Sequence, residues 1–553
     1  MMDIERAEQI HKELFQTVDY FKPMWQDQAE TIDPLRGYFG EDPMQPKLPN
    51  YQKVLSGYPK HVLEVLSSGL TGGLGGPNRP WYKAGLDDTD LMEFQPVKEW
   101  LTLSTEIMFD IYAKSSTWYP TSRFMYEELG LFGTGASAML PDYEEVLYRR
   151  PFTIGQYALG CDYKGKVNSF AYDFYKTAEQ LVGEFGRNNV SARVRDMYDY
   201  NTNKYQKVKI KYIITPNPER DAGKRDNRNM PFTACYWEPG SENKRFLKHS
   251  GFEDFPINAP RWSHVNPLVP WGYGTAYKIL GDVNNLYSLE EEKLLGAAMV
   301  VRGPVQADAS IKGEINLTPQ GINRTTAAHP NGGIRPVYEK GLDLQALRVL
   351  IQDKKQDIDV ASLKDLFLMA QQGGDVQKTA YEIAIKNEEK LLLLGPVLEN
   401  LYAEKLKPEV SRSWNIAMKA GVLPPPPAEL QGKEIKIEFI SVLAQAQKQI
   451  GIAEIERSLQ FNMQLSQLAP YAVDNTDWDE AAIEYNRKLG LSPKIQKSRD
   501  RRDAERQAQA ESAAAQQNAA SMMSLAQGAK TLSDTKLGQN SALDAIVNGG
   551  AAQ

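Results

Sequence analysis

The residues best able to do chemistry fall into four small groups. The first is SSGLTGGLGGPNRPWYKAG, Ser67 to Gly85, with five glycines between Gly69 and Gly76. Such a run could cradle a phosphate. A phosphate loop, however, closes its glycines with Lys-Ser or Lys-Thr, because the lysine neutralises the phosphate charge. Here Gly75-Gly76 runs into Pro77-Asn78, and Arg79 precedes Pro80. No helix N-terminus opens there to receive an anion. The stretch reads instead as a helix ending in a left-handed, glycine-rich turn, after which Trp81 docks in a core. The second group is Asp87, Asp88 and Asp90. It lacks the glycine and distal glutamate of a calcium loop and reads as a solvated turn. The third is the histidines: His11, His61, His249, His264 and His329 are scattered, with no HExxH pair. His61 and Glu64 read as a surface pair, and no GxSxG elbow is present. The fourth is Cys161 and Cys235, which give neither a CxxC site nor a disulfide framework and are expected to be reduced and inert. No acid, base and nucleophile come together in sequence, so no catalytic residue, metal or cofactor is expected.

Composition sets the class. The chain has 553 residues, 42% hydrophobic and 24% charged, with a net charge of −7. That length suggests roughly three or four structural units of about 150 residues each. An acidic balance excludes a protein that grips nucleic acid by bulk attraction. The N-terminal MMDIERAEQIHKELF is amphipathic and lacks the apolar core of a signal peptide. No run reaches the about 18 apolar residues of a membrane span. A soluble chain made inside a cell is the expectation. The 27 tyrosines and 9 tryptophans read as an aromatic core and subunit interfaces rather than as a platform for stacked bases.

The elements that must position these residues follow from periodicity. Ile4 to Asp33 predicts a helix through Ile10, Leu14, Val18 and Phe21, broken at Pro34 and Gly37. Val54–Leu66, Leu101–Tyr112 and Ser122–Leu131 predict further helices. From about Val146 to Pro256, runs such as VKIKYIITP and PFTACYWEPG predict strands. Tyr277–Val301 predicts a long helix, stopping at Arg302-Gly303-Pro304. An irregular module reaches about Lys340. Helix returns at Leu342, with Leu344, Leu347, Ile351 and Ile358 on one face and Arg348, Gln352 and Lys355 on its flank. MAQQGGDVQKT, Met369 to Thr379, is a polar glycine-bearing break. A helical segment follows, with a kink or join expected at Gly395-Pro396. Pro424–Pro427 is a stiff spacer. EIKIEFIS, Glu434 to Ser441, alternates as a strand does, and VLAQAQKQIGIAEIERSLQFNMQLSQL predicts a helix. After Ser498 the sequence cannot bury a core and reads as a solvated helix or a disordered tail.

This order of elements resembles the head-to-tail connector, or portal, proteins of short-tailed bacteriophages. The resemblance covers about Ile4 to Leu491 and rests on five pieces in sequence: SSGLTGGL…RPWYK, LGLFGTGASAML, PRWSHVNPLVPWGYGTAYKILGDVNNL, KTAYEIAIKNEEKLLLLGPVLENLYAEKLKPEVSRSWNIAMKAGVLP and IEFISVLAQAQK. One departure is Tyr273-Gly274-Thr275-Ala276, where the family usually has Tyr-Gly-x-Gly-Pro.

The resemblance implies an α+β, mostly helical portal fold assembled as a ring of twelve subunits. Its parts would be a wing (1–276, helical to about 144 and sheet-rich over 145–276), stem helices at 277–302 and 342–362, a clip at 303–341, wing helices at 363–433, a crown at 434–497 and a low-complexity tail at 498–553. A channel loop at 371–378 would carry Gln371, Gln372, Gly373, Gly374, Gln377 and Lys378 toward DNA. Arg348, Gln352 and Lys355 would line the stem's channel face. The implied partners are other copies of the chain, double-stranded DNA, the terminase large subunit, the major capsid protein and scaffold, and tail adaptor or tail tube proteins, with no membrane. The implied place is the portal vertex of the virion, and the implied role is without catalysis. An internal virion or scaffold protein, or an enzyme whose site assembles in space, remain the alternatives.

Overall fold

The computed structural model describes residues 2–40, 53–88, 91, 94–200, 203–221, 223–224, 226–242, 245–302, 304–307, 314–316, 334–336, 344–371, 388–430, 433, 435–448, 458–465, 477–488 and 499–534. The chain divides into two units, Met1–Gln460 and Phe461–Gln553.

The first unit is built on two cores. In one, helix α1 (Ile4–Ile32) lies along a sheet. Asp3 caps the helix, its carboxylate accepting the Arg6 backbone N–H at 2.8 Å. The sheet is an antiparallel meander of β4 (Tyr157–Cys161), β5 (Val167–Thr177), β6 (Lys207–Pro216), β7 (Phe232–Trp237) and β8 (Lys248–Phe252), neighbours in chain order. Strand alternation sends Ile213, Cys235 and Trp237 to the face that meets Ala7 of α1. His11 of α1 reaches Asp173 of β5 at 2.6 Å, and Lys209 of β6 takes the other carboxylate oxygen at 2.9 Å. The opposite face carries tyrosines and phenylalanines and packs on two short helices, α5 (Ala178–Phe185) and α6 (Ala192–Asp199). Strands are therefore where the β-branched and aromatic runs predicted them. Both thiols are pushed up to about 11, first of all by burial, which suits inert cysteines.

The second core gathers helices from both ends of this unit: α2 (Tyr58–Gly75), α3 (Gln95–Lys114), α4 (Trp118–Phe132), α9 (Lys364–Gln371), α10 (Glu388–Leu401), α11 (Lys407–Lys419) and α12 (Val442–Lys448). Strand β1 (Tyr82–Gly85) pairs with β12 (Lys436–Phe439) in register Tyr82↔Phe439, and β2 (Ala136–Asp142) pairs with β3 (Val146–Phe152) and β9 (Ile257–Asn258). Trp81 does dock in this core, within 4.8 Å of the Tyr82 ring and 6.1 Å of the Tyr112 ring.

The glycine-rich stretch differs from its sequence reading. It does not end the helix early in a turn. Helix α2 runs through Gly69, Gly72 and Gly73 to Gly75. The reason is close approach. A Cβ placed on Gly69 would stand 2.5 Å from the Phe367 Cβ and 2.7 Å from its carbonyl oxygen. Glycine's cost of about 1 kcal/mol inside a helix is offset by letting α9 lie directly on α2, where Leu366 and Phe367 are fully buried. At Gly395-Pro396, where a kink or join is expected, the chain is not broken: Pro396 sits inside α10, and a π-turn follows at Tyr402–Leu406.

That π-turn carries a buried charge cluster. Arg149 of β3 and Lys405 both bind Glu409, at 2.5 and 3.0 Å, and all three side chains are almost wholly withdrawn from water. Arg149 also donates to Ser122 and Ser137 and lies 4.7 Å over the Trp118 ring. Lys405 lies 4.7 Å over the Tyr126 ring. Two carbonyls of the turn, on Glu404 and Lys405, accept from the Asn258 amide, and the Glu404 carboxylate receives the Arg261 guanidinium. Desolvation pulls Lys405 down to about 8 despite the Glu409 charge that opposes it.

In the second unit, α13 (Trp478–Lys488) and α14 (Arg499–Asp534) are helical. Asp479 receives Arg506 at 2.5 Å. Of the two readings of the tail, a solvated helix is what residues 499–534 adopt, and its described side chains are nearly all exposed.

Glu409→Gln leaves two buried cations without an anion and should cost about 3–5 kcal/mol. Lys405→Met leaves a neutral Arg149–Glu409 pair and should cost less than about 1.5 kcal/mol. The Lys405 ammonium titrates near 8 when folded and at its ordinary 10.5 when unfolded. Its contribution to stability should therefore rise with pH between those values. Urea unfolding of both variants at pH 7 and pH 9.5 reads both effects, and the rise should vanish in Lys405→Met. Gly69→Val should cost about 2 kcal/mol or more by pushing α9 off α2, seen as a lower urea midpoint.

Candidate functional site: a helical limb and its base

Two helices leave the body together. Helix α7 (Thr275–Arg302) has 28 residues and a length of about 42 Å; α8 (Leu344–Ser362) has 19 and about 28 Å. Beyond α7, strand β10 (Val305–Ala307) pairs antiparallel with β11 (Ile334–Pro336), which precedes α8. The beginning of α7 and the end of α8 are held in the body. Ala276, Ile279, Val283, Leu286 and Tyr287 are buried on α7, as is Ile358 on α8. The two helices therefore run in opposite directions and rise as a limb. Lys354 reaches Asp282 at 3.5 Å and Lys355 reaches Glu290 at 3.8 Å between them.

The outer half is apolar yet uncovered within one chain. Leu294, Leu295, Met299, Val300 and Val301 are all more than half exposed, Val301 to 77%, and Val349 and Leu350 on α8 are exposed beside them. Consecutive exposed aliphatics on a helix are a surface seeking a partner rather than scattered surface residues.

The base is locked by tyrosines. Tyr287 donates to the Thr31 carbonyl at 2.8 Å, joining α7 to the end of α1. Tyr58, at the start of α2, is 2.7 Å from both carboxylate oxygens of Asp359 on α8. Lys364 closes the group, 3.2 Å from Asp359 and 3.1 Å from the Tyr58 hydroxyl. Burial, and then the Asp359 carboxylate, raise the Tyr58 phenol. Burial works to lower Lys364, but its bonds to Tyr58 and Asp359 prevail and hold its ammonium above the ordinary value. Between α8 and α9, Leu363 takes φ +56°. A branched residue in the left-handed region costs on the order of 1–2 kcal/mol. That turn redirects the chain so that α9 can settle on the Gly69 surface.

The residues singled out in the sequence divide accordingly. Arg348 and Gln352 are exposed on α8. Lys355 is not on an open face: it is engaged with Glu290 and lies 5.2 Å over the Tyr58 ring. Gln371 is the last residue of α9, and Gln372, Gly373, Gly374, Gln377 and Lys378 lie outside the described residues. Asp87 and Asp88 are paired with Lys436 and Lys433, and Asp90 lies outside the described residues. Among the described residues, no group of three or more His, Cys, Asp or Glu is arranged to hold a metal ion. None of the described helices is long and apolar enough to cross a membrane. Sequence reasoning missed Tyr58, Asp359 and Leu363. Tyr58 and Asp359 are 301 residues apart, and neither stands in a motif.

Tyr58→Phe removes the hydroxyl between Asp359 and Lys364. A loss of about 1–2 kcal/mol is expected, with faster amide hydrogen exchange confined to 359–367 and the start of α2.

Comparison with known proteins follows the same outline. A family model described as bacteriophage head to tail connecting protein matches residues 5–496. The chain is 36% identical over 472 residues to a "Probable portal protein" of Bordetella phage BPP-1, covering 85% of this chain and 84% of that one. It is 35% identical over 534 residues to a "Portal protein" of Salmonella phage epsilon15, covering 96% of each. A solved chain from the neck of an empty GTA particle aligns with a TM-score of 0.31 and 9% identity over 72% of this chain and 86% of that one, a likeness too slight to argue from.

Proposed function

The chain belongs to the bacteriophage head to tail connecting protein family, and we propose that it works as a portal, the ring through which duplex DNA enters and leaves a phage head. The observation that carries this reading is the family match over residues 5–496 together with 96% coverage of a portal protein at 35% identity. The reading places the ring at one capsid vertex of the virion and gives it no catalytic role.

The physical features of the limb fit the role. The exposed aliphatic stripe of α7, Leu294 to Val301, is covered when copies stand side by side. A head-to-tail interface repeated by rotation closes into a ring. Twelve copies is the number proposed, with α7 and α8 as the stem, 303–341 as the clip, 434–497 as the crown and the remainder of 1–433 as the wing. Arg348 and Gln352 would look into the channel. Lys355 would then act at one remove, by fixing α8 against α7. The segment 371–378, with Gln371, Gln372, Gly373, Gly374, Gln377 and Lys378, would form the channel loop, where glutamine amides and one lysine offer phosphate only modest contacts. A chain of net charge −7 repeated around a channel gives a wall that releases few counterions to DNA, so duplex passes without being gripped. The terminase large subunit, the capsid and scaffold proteins, and the tail adaptor are the proposed partners.

The test is imaging of the purified chain. Class averages should show a ring with a central hole. Leu295→Glu with Val301→Glu should yield monomers of unchanged circular dichroism, because a charge is then driven into the subunit contact. Deletion of 371–378 should leave rings intact while reducing DNA retention in assembled heads. Monodisperse wild-type monomers at micromolar concentration would refute the reading.

A further inference from the structure

Away from the limb, the second face of the five-stranded sheet carries a cross-strand row. Tyr157, Tyr172, Tyr212 and Tyr236 are direct partners on β4 through β7, and the row ends at Lys248 on β8. Direct cross-strand partners share a face, so four phenol rings and one ammonium lie in line. The rings stack: Tyr212 and Tyr236 are 4.1 Å apart, and Tyr172 stacks on Phe174 at 5.4 Å. Most of this row is covered. Beside the buried Tyr172 and Phe174, the surface between β3 and α5 is open. A cleft opens there with Tyr172 and Phe174 as floor and Arg150, Lys176, Gln180 and Glu184 around it.

The charges at this cleft are unbalanced. The Arg150 guanidinium lies 5.2 Å over the Tyr172 ring and 5.4 Å over the Phe152 ring, and donates to the Tyr172 hydroxyl at 2.9 Å. Lys176 lies 5.8 Å over the rings of both Phe174 and Phe185. Burial, followed by the charges of Arg150 and Lys248, holds the Lys176 ammonium below its ordinary value. Glu184 pairs with Lys176 from the α5 side, one carboxylate, 42% exposed, set against the two lining cations Arg150 and Lys176. Arg150 and Lys248 are exposed. A cation stationed over an aromatic floor keeps its remaining donors for a ligand, and an Arg fork accepts a carboxylate bidentately.

We propose that this cleft is a docking site for an acidic, extended segment of a partner protein, one carboxylate seated on Arg150 and a second displacing Glu184 from Lys176. A protein segment fits better than nucleic acid. The cations cluster within one cleft instead of forming a stripe, and Glu184 on α5 lines it, which repels a continuous phosphate backbone. The assignment does not depend on ring formation or on DNA passage.

The probe is a fluorescein-labelled peptide of glutamates around one phenylalanine, titrated into the full-length chain and followed by anisotropy. Binding should weaken steeply with salt and be lost when the glutamates are replaced by glutamines. Arg150→Gln with Lys176→Gln should weaken binding about tenfold or more, with unchanged thermal unfolding since both side chains reach solvent. Arg150→Lys should recover only part of it, because the fork is lost. Glu184→Gln should tighten binding by about threefold, since the internal competitor is removed; a purely structural Lys176–Glu184 pair would not produce that gain. No binding by the wild-type chain, equal binding by the double variant, or tighter binding of single-stranded DNA than of the peptide would each overturn the proposal.

Discussion

Two cations share one anion inside this protein, and much of the architecture depends on that arrangement. Arg149 comes from a strand early in the chain. Lys405 and Glu409 come from a π-turn and the helix after it. A buried charge left alone costs about 3–5 kcal/mol, so the fold favours the one register in which the two halves meet. The extra residue of the π-turn brings Lys405 inward and leaves carbonyls for Asn258 to bind. Arg261, through Glu404, ties the same turn to the loop at 165 and the loop at 267–269. One irregular turn of helix thus organises strands, loops and the second core around it.

The limb obeys a different rule. Its base is specified by hydrogen bonds, and its outer half, among the described residues, by the β10–β11 pairing and exposed aliphatics. Tyr58, Asp359 and Lys364 fix the angle at which α8 enters the body, and Leu363 accepts backbone strain so that α9 can turn back over α2. Beyond about residue 290, Leu294, Leu295, Met299, Val300 and Val301 are all more than half exposed.

Much of this was legible in the sequence, and the failures have a common cause. Helical periodicity locates α7 and α8 within a few residues, alternation locates β12, and β-branched and aromatic runs locate the strands of the larger sheet. Local patterns report local structure. The glycines of α2 read as a terminator because glycine alone favours a turn; only Phe367, nearly 300 positions away, makes Gly69 a packing surface. Gly395-Pro396 reads as a kink or a join; Pro396 lies inside α10, so the helix is not broken there, and a π-turn follows at Tyr402. Lys405 and Glu409 look like an ordinary solvated i,i+4 pair, and Lys355 like the flank of an exposed stripe. Their burial or engagement is decided by residues that no window includes. The cation-lined cleft on the sheet was equally silent, since Arg150, Lys176 and Lys248 meet only through strand pairing.

The two-stranded pairing of Tyr82 with Phe439 has a consequence in time. A ribosome adding roughly 5–20 residues per second needs on the order of 20–70 s to travel from one strand to the other. Throughout that interval the Trp81–Tyr82 platform waits without its lid, and for a shorter part of it, 260 residues of synthesis, Arg149 waits without Glu409. The nascent chain is obliged to remain an open intermediate until its last third emerges. Synthesis itself then keeps an incomplete polypeptide from presenting a finished body to its siblings.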